Sequence, residues 1–187
     1  MIRTIGLTSI SYLALAGFFG LLALAVFAIT QKLFKTTILT KIRLFVAPRS
    51  YAIGFVLSLV ATFSSLFLSE VLHFAPCILC WYQRIALYPQ TVLLYMALIR
   101  RERTLTPYLI VLNGIGLVVA LYHYSLHIVP RTIATILPCS TAFGGVPCDK
   151  GYHMYFGFMT FPLMAAVVFA LLIFVFSCTP KLKKKHG

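Results

Sequence analysis

The chain has 187 residues, 61% of them hydrophobic and only 10% charged, with a mean hydropathy of +0.98. A soluble globular domain carries roughly 25% charged residues, so this composition excludes one and requires lipid as solvent. The net charge of +13 comes from 16 Lys and Arg against 3 Asp and Glu. These basic residues sit in short clusters between apolar runs, which argues against nucleic-acid binding and for signals of membrane topology.

Five apolar runs have the ~20 residues that a helix needs to cross a hydrocarbon core. They are Ile5 to Thr30, Tyr51 to Val71, Trp81 to Ile99, Pro107 to Ile128 and Tyr152 to Cys178. The first lacks the small-residue cleavage site of a secretory signal and is read as a retained span. Behind it, Gln31 to Ser50 combines basic residues with Leu33, Phe34, Ile38, Leu39, Ile42 and Leu44, the pattern of an amphipathic helix on a membrane surface. The expected organisation is an N-terminal span with a basic linker (1–49), a four-helix transmembrane bundle (50–180) and a basic tail (181–187), an all-α membrane protein.

The basic clusters are Lys32 to Arg49, Arg100 to Arg103 and Lys181 to Lys185. The positive-inside rule assigns all three to the cytoplasm, which leaves the N-terminus and the two remaining connections outside. Four of the five cysteines then share the outer face. Cys77 and Cys80 lie at the mouth of the third run, and Cys139 and Cys148 in the Pro- and Gly-rich loop before the last one. An oxidising compartment lets such cysteines pair, and four allow three connectivities. Cys178, on the inner side, reads as a small apolar helix residue.

The stretch Pro76-Cys77-Ile78-Leu79-Cys80-Trp81-Tyr82-Gln83-Arg84 carries most of the chemistry. Pro76 favours a helix start, and the free amides of a first helical turn lower a thiol pKa and raise its thiolate fraction. Arg84 follows Cys80 by four residues, on the same helical face and about 6 Å deeper. A cation inside the apolar layer is costly unless paired or snorkelling, so it marks a functional site by default. His123 reaches a similar depth from the fourth span. An arginine and an imidazole near a dithiol suit a ligand with polar oxygens on an apolar body, such as a quinone.

Cys77-Ile-Leu-Cys80-Trp-Tyr-Gln-Arg84, upstream Ser69-Glu70, Tyr122-His123-Tyr124, and Gly145-Val-Pro-Cys148 followed by Tyr152 and Phe156-Gly-Phe158 together resemble the disulfide bond formation protein B family, in its shorter BdbC-type branch. The likeness spans about Tyr51 to Cys178, and the N-terminal span and linker depart from it. The resemblance implies a bacterial inner-membrane thiol oxidase with extracytoplasmic cysteine pairs. It re-oxidises a thioredoxin-like, DsbA-like partner and passes electrons to ubiquinone or menaquinone, a relay that keeps a bacterial periplasm oxidising. On that reading Cys139 receives the partner's thiolate and Cys148 passes the electrons on to Cys77. Cys80 engages the quinone as a thiolate, while Arg84 polarises a quinone oxygen with help from His123.

Two readings from other classes stand beside this one. Cys77, Cys80, Cys139 and Cys148 could close a thiolate site for Zn or Cu(I). The eight residues between Cys139 and Cys148 are a poor ligand spacing, however, and Arg84 has no role beside a metal. Alternatively, two disulfides could only staple the outer loops.

Overall fold

The computed structural model describes residues 2–34, 37–128, 148 and 156–179. Among them six α-helices follow one another: α1 (Ile2–Phe34), α2 (Ile38–Val46), α3 (Ser50–Leu66), α4 (Ile78–Arg100), α5 (Thr106–Ile128) and α6 (Phe161–Ser177). A 3-10 turn (Ala47–Arg49) containing Pro48 joins α2 to α3, and a π-turn (Phe67–Val71) prolongs α3. Among the described residues three stretches are long and apolar enough to cross a membrane, Gly6–Val26, Leu39–Val71 and Thr106–Ile128, and α6 is a shorter apolar helix. The protein is therefore an all-helical, multi-pass membrane protein.

Chain order and packing make a closed circuit. Helix α4 lies between α3 and α5, α6 closes the ring against both α5 and α3, and α1 packs outside on α6. Two glycines permit the closest approaches. A Cβ at Gly54 would lie 2.6 Å from the Phe176 ring, and one at Gly116 would overlap Phe169. Both rings belong to α6 and are almost completely buried, in a core shared with Leu94, Leu109, Ala120 and Leu172. Small residues at such crossings are what lipid-embedded helices need, since apolar area alone gives no preference for protein over lipid tails.

Helix α4 is the polar member of the circuit. Its Gln90 and α5's Asn113 are both wholly buried and exchange two amide hydrogen bonds, of 3.1 and 2.8 Å. Asn113 Nδ2 also donates to Leu109 O at 2.7 Å. On the opposite neighbour, Thr91 meets Thr62 of α3 at 3.1 Å. Each polar side chain is satisfied by the adjacent helix, which fixes rotation as well as proximity.

The two ends differ in chemistry. At one, Arg103 Nη2 donates to Pro48 O at 2.9 Å, Tyr51 meets Thr106 at 3.0 Å, and Thr179 donates to Ser50 at 3.0 Å. These contacts gather the Ala47–Arg49 turn, the start of α3, the Arg100–Arg103 turn and the end of α6, with the buried free thiol of Cys178. At the other end Phe74 packs on Phe161, ring centroids 5.7 Å apart, and Cys77, Cys80 and Cys148 lie there.

The last span starts later than the sequence pattern suggests. Phe156 and Gly157 have φ of 55° and 78°, Thr160 is an extended N-cap, and Pro162 occupies the first turn, so α6 begins at Phe161. Left-handed backbone cannot continue a helix, and proline is favoured where the amide has no helical acceptor. The expected amphipathic segment takes shape as α2, which is nine residues long.

Removing one half of the buried amide couple strands the other half. Asn113→Ala is expected to lower stability by about 1–2 kcal/mol, with Gln90→Leu/Asn113→Leu recovering part of the loss, as read by unfolding in mixed micelles.

Candidate functional site

Cys77 is the N-cap of α4. Its backbone is extended, and its sulfur accepts the Cys80 amide at 3.3 Å, so one of the helix's unpaired donors is satisfied by a thiol. Cys80 sits one turn further in, with the two Sγ atoms 2.9 Å apart and both thiols free. The connection that delivers Pro76 to this position is itself anchored, because Phe74 is buried and its amide donates to Leu68 O at 3.0 Å.

His123 approaches from α5 and is buried. Its Nε2 lies 3.6 Å from Cys77 Sγ, and its Nδ1 lies 3.1 Å from Gln83 Nε2. An amide nitrogen can only donate, so Nδ1 accepts and the imidazole hydrogen sits on Nε2, aimed at the sulfur. The Cys77 thiol is pushed down to about 4 from its ordinary 9.0. The hydrogen bond from the Cys80 thiol is the largest cause; burial opposes it, and His123 adds through its hydrogen bond and electrostatically. A stabilised thiolate favours the reduced pair and so makes its disulfide a stronger oxidant.

Cys148 is disulfide-bonded and buried in the apolar cluster that holds Cys77 and Leu79, with Val119, Tyr122 and Leu126 packed around it. Of the four expected site cysteines the structure thus brings three together, and Cys139 lies outside the described residues. The four-thiolate metal site would need Cys148 as a thiolate, which the disulfide withholds. The ligand atoms of Cys77, Cys80 and His123 lie within 4.8 Å of one another, a grouping the four-cysteine pattern does not contain.

Arg84 is held by neutral oxygens. Its Nε donates to Ser65 Oγ at 3.1 Å and its Nη2 to Ser65 O at 3.2 Å, and Tyr88 braces the same hydroxyl at 3.0 Å. Trp81 and Tyr88 lie beneath the guanidinium, 5.4 and 6.0 Å from its centre. Among the described residues its positive charge is therefore positioned by neutral groups. Ser65 lies just before the π-turn, and its carbonyl also accepts from Ser69 Oγ at 3.4 Å.

Cys80, Gln83 and Arg84 open onto a cavity of about 480 Å³. Apart from these three and Ser64 and Ser65, its walls are almost entirely apolar, from α1, α3, α6 and the connection at Phe74 to Pro76. Neither Cys77 nor His123 lines it among the described residues. Of the two residues expected to face one ligand, His123 reaches the cavity lining through Gln83, and Arg84 lines it directly. His123 attends Cys77, and Arg84 attends the cavity with Cys80. Sequence reasoning missed Gln83 and Ser65 as site residues. Gln83 carried a signal, a polar residue inside an apolar run, whereas Ser65 is one serine among several in α3.

A dithiol poised beside a disulfide, at the edge of an apolar cavity in a membrane protein, defines a membrane thiol-disulfide oxidoreductase. Residues 48–179 match the family described as "Disulfide bond formation protein DsbB". The "SPbeta prophage-derived disulfide bond formation protein B" of Bacillus subtilis is 43% identical over 118 residues, 63% of this chain and 76% of that protein. The "Disulfide bond formation protein C" of the same organism is 38% identical over 133 residues, 71% of this chain and 93% of that protein. No solved structure matches. The chain belongs to the disulfide bond formation protein DsbB family and is a membrane protein-disulfide oxidoreductase supporting disulfide bond formation.

The lowered Cys77 pKa has a direct readout. The thiolate is present above that pKa and lost below it, so alkylation of Cys77 in the reduced protein is expected to hold steady near neutrality and fall as pH drops through about 4. His123→Ala should move the midpoint upward, as followed by mass spectrometry of the labelled peptide.

Proposed function

We propose that the protein takes electrons from a thioredoxin-like, DsbA-like oxidase on the extracytoplasmic side and delivers them to a membrane quinone through two cysteine pairs in series. The observation that carries this reading is the placing of the dithiol: both sulfurs lie against the cluster that holds Cys148, Cys77 contacts His123, and Cys80 also opens with Arg84 onto an apolar cavity. The helices α3 to α6 form the spanning bundle, α1 is a further span, and the ends with Arg43, Arg49 and Arg100 to Arg103 face the cytoplasm of a bacterial cell, as the positive-inside rule requires.

The exchange balances as follows. A thiolate of the reduced partner attacks Cys139 of a Cys139–Cys148 disulfide, forming a mixed disulfide and freeing Cys148. The partner's second thiol displaces Cys139, and the partner leaves oxidised. Cys148 then attacks Cys77 of the Cys77–Cys80 disulfide and releases Cys80 as a thiolate. Cys139 closes again on Cys148 and releases Cys77. Two electrons and two protons have then moved from the partner to the inner pair.

This sequence assigns the thiolate differently at different stages. With both inner thiols free, Cys77 holds the negative charge because the cap amide, the Cys80 thiol and His123 converge on it. While Cys77 is bonded to Cys148, those donors have no thiolate to serve, and Arg84 is the cation one turn below Cys80. The released charge therefore sits on the cavity side, where the acceptor binds.

The cavity residues fit a quinone. Arg84 has five N–H donors, two of them engaged by Ser65, which leaves donors for a ring oxygen, and the remaining walls suit an apolar ring and tail. A bound quinone supplies a sink for two electrons and two protons. Cys80 presents its sulfur to that sink, Arg84 orients it, and the apolar walls exclude water.

With reduced partner and added quinone, Cys80→Ser is expected to abolish quinone reduction. Cys139→Ser should block transfer from the partner while chemically reduced protein still reduces quinone. Unchanged steady-state turnover in both variants would overturn the assignment.

Arg84→Ala should raise the quinone KM about tenfold, equivalent to about 1.4 kcal/mol, while mixed-disulfide formation with the partner proceeds as before. An unaltered KM would remove the role given to Arg84.

A further inference from the structure

The matched family region begins at residue 48, so α1 lies wholly outside it, yet α1 supplies part of the cavity that Cys80 and Arg84 face. Ile10, Leu13, Ala14 and Gly17 line it, spaced at three and four residues so that they share one helical face. On the other walls stand Val60 and Ala61 of α3 and Val167 and Leu171 of α6. Without α1 this space would be a groove between α3 and α6, open to lipid along its length.

Three attachments hold α1 there. At its outer end Gly6 lies so close to Phe67 of the π-turn that a Cβ would collide with the ring. Deeper, a Cβ at Gly17 would lie 3.0 Å from Val167 and 3.3 Å from Leu171, so the helices meet as closely as a side chain allows. Tyr12, between these points, and Phe18, next to Gly17, meet Phe156 and Phe158, with ring centroids 5.4 and 5.6 Å apart. Ile10, Leu13 and Ala14 fall between the first attachment and the last. A span that served only as an anchor has no need of such registration, and lipid-facing helices otherwise gain little from packing on protein.

We propose that α1 is the outer wall of the acceptor site, and that its residues Ile10, Leu13 and Ala14 grip the apolar tail of the quinone whose ring is held at Cys80 and Arg84. This rests on the quinone reading given above. The cavity's polar groups are confined to the end at Ser64, Ser65, Cys80, Gln83 and Arg84, and α1 contributes only apolar surface, which matches a ligand with one polar head and a long hydrocarbon tail. Affinity for long-tailed quinones is then set partly by a segment that other members of the family need not share.

Trp81 is the only tryptophan of the chain and lies against Arg84, so quenching of its fluorescence by a bound quinone reports binding without turnover. The titration uses a long-tailed isoprenoid quinone and a tailless ring analogue, on the full chain in detergent. Ala14→Phe, which fills the wall, is expected to raise the Kd of the long-tailed quinone at least about tenfold and that of the tailless ring by less than about twofold. Phe19→Ala, an exposed α1 position off the lining, should change neither. If Ala14→Phe does not fold, Leu13→Ala serves, with an expected weakening of at least about threefold for the long tail. Quenching that is intact in wild type and unchanged in the folded wall variants would overturn the role of α1 and leave the quinone reading standing. Absence of quenching and of quinone reduction in wild type would overturn both.

Discussion

A helix cannot satisfy its own first amides, and α4 meets that constraint with the sulfur of Cys77. The arrangement of the rest of the site follows from this cap. Because Cys77 sits at the N-cap and Cys80 in the first turn, the two sulfurs touch each other yet leave the helix in different directions. One direction leads to α5, where His123 and the buried Cys148 are found, and the other to the cavity between α1, α3 and α6. A pair placed in mid-helix would lose the amide donors of the first turn. A pair on a free loop would lose the fixed partition between a protein-facing and a lipid-facing sulfur.

The cation of the site is governed by a related economy. An arginine below a membrane surface normally calls for a carboxylate, but pairing would neutralise the charge that an electron acceptor needs. Ser65 resolves the conflict by offering its hydroxyl and its carbonyl, both neutral, to the Nε and Nη2 donors of Arg84. Ser65 lies just before the π-turn that prolongs α3, so a local irregularity in one helix adjoins the group that positions the guanidinium of its neighbour. The same turn carries Phe67, on which α1 comes to rest through Gly6.

Much of this was legible in the sequence, for definable reasons. Apolar runs give span existence because hydrocarbon thickness fixes their length, and the CxxC with its arginine gives the chemistry because few other roles place those residues at a helix mouth. The start of α6 was not legible, since Tyr152 to Thr160 reads as apolar as a helix, whereas the backbone at Phe156 and Gly157 is left-handed. The partner of His123 was not legible either. Depth along a span can be counted from residue numbers, but rotation about the helix axis cannot. That rotation is set by contacts such as Gln90 with Asn113, and it turns His123 toward Cys77 and Gln83. Ser65 and the α1 wall depend on contacts between distant segments, for which a single sequence holds no signal.

The polarity of α4 explains why the other helices are arranged as they are. It carries Gln83, Arg84, Gln90 and Thr91, and unlike Leu39–Val71 or α5 it is not apolar enough by composition to stand as a membrane span. Such a helix is tolerable in lipid only where neighbours meet its polar groups. Each neighbour does so at a different level: α5 with His123 and Asn113, and α3 with Ser65 and Thr62. These bonds use up the polar groups on two sides of α4 and leave Cys80 and Arg84 toward the cavity. The residual polarity there is unshielded by α3 and α6 alone, whose remaining lining is hydrocarbon. A further apolar wall over that opening keeps the reactive sulfur and the guanidinium charge out of contact with water and headgroups, which is where α1 lies.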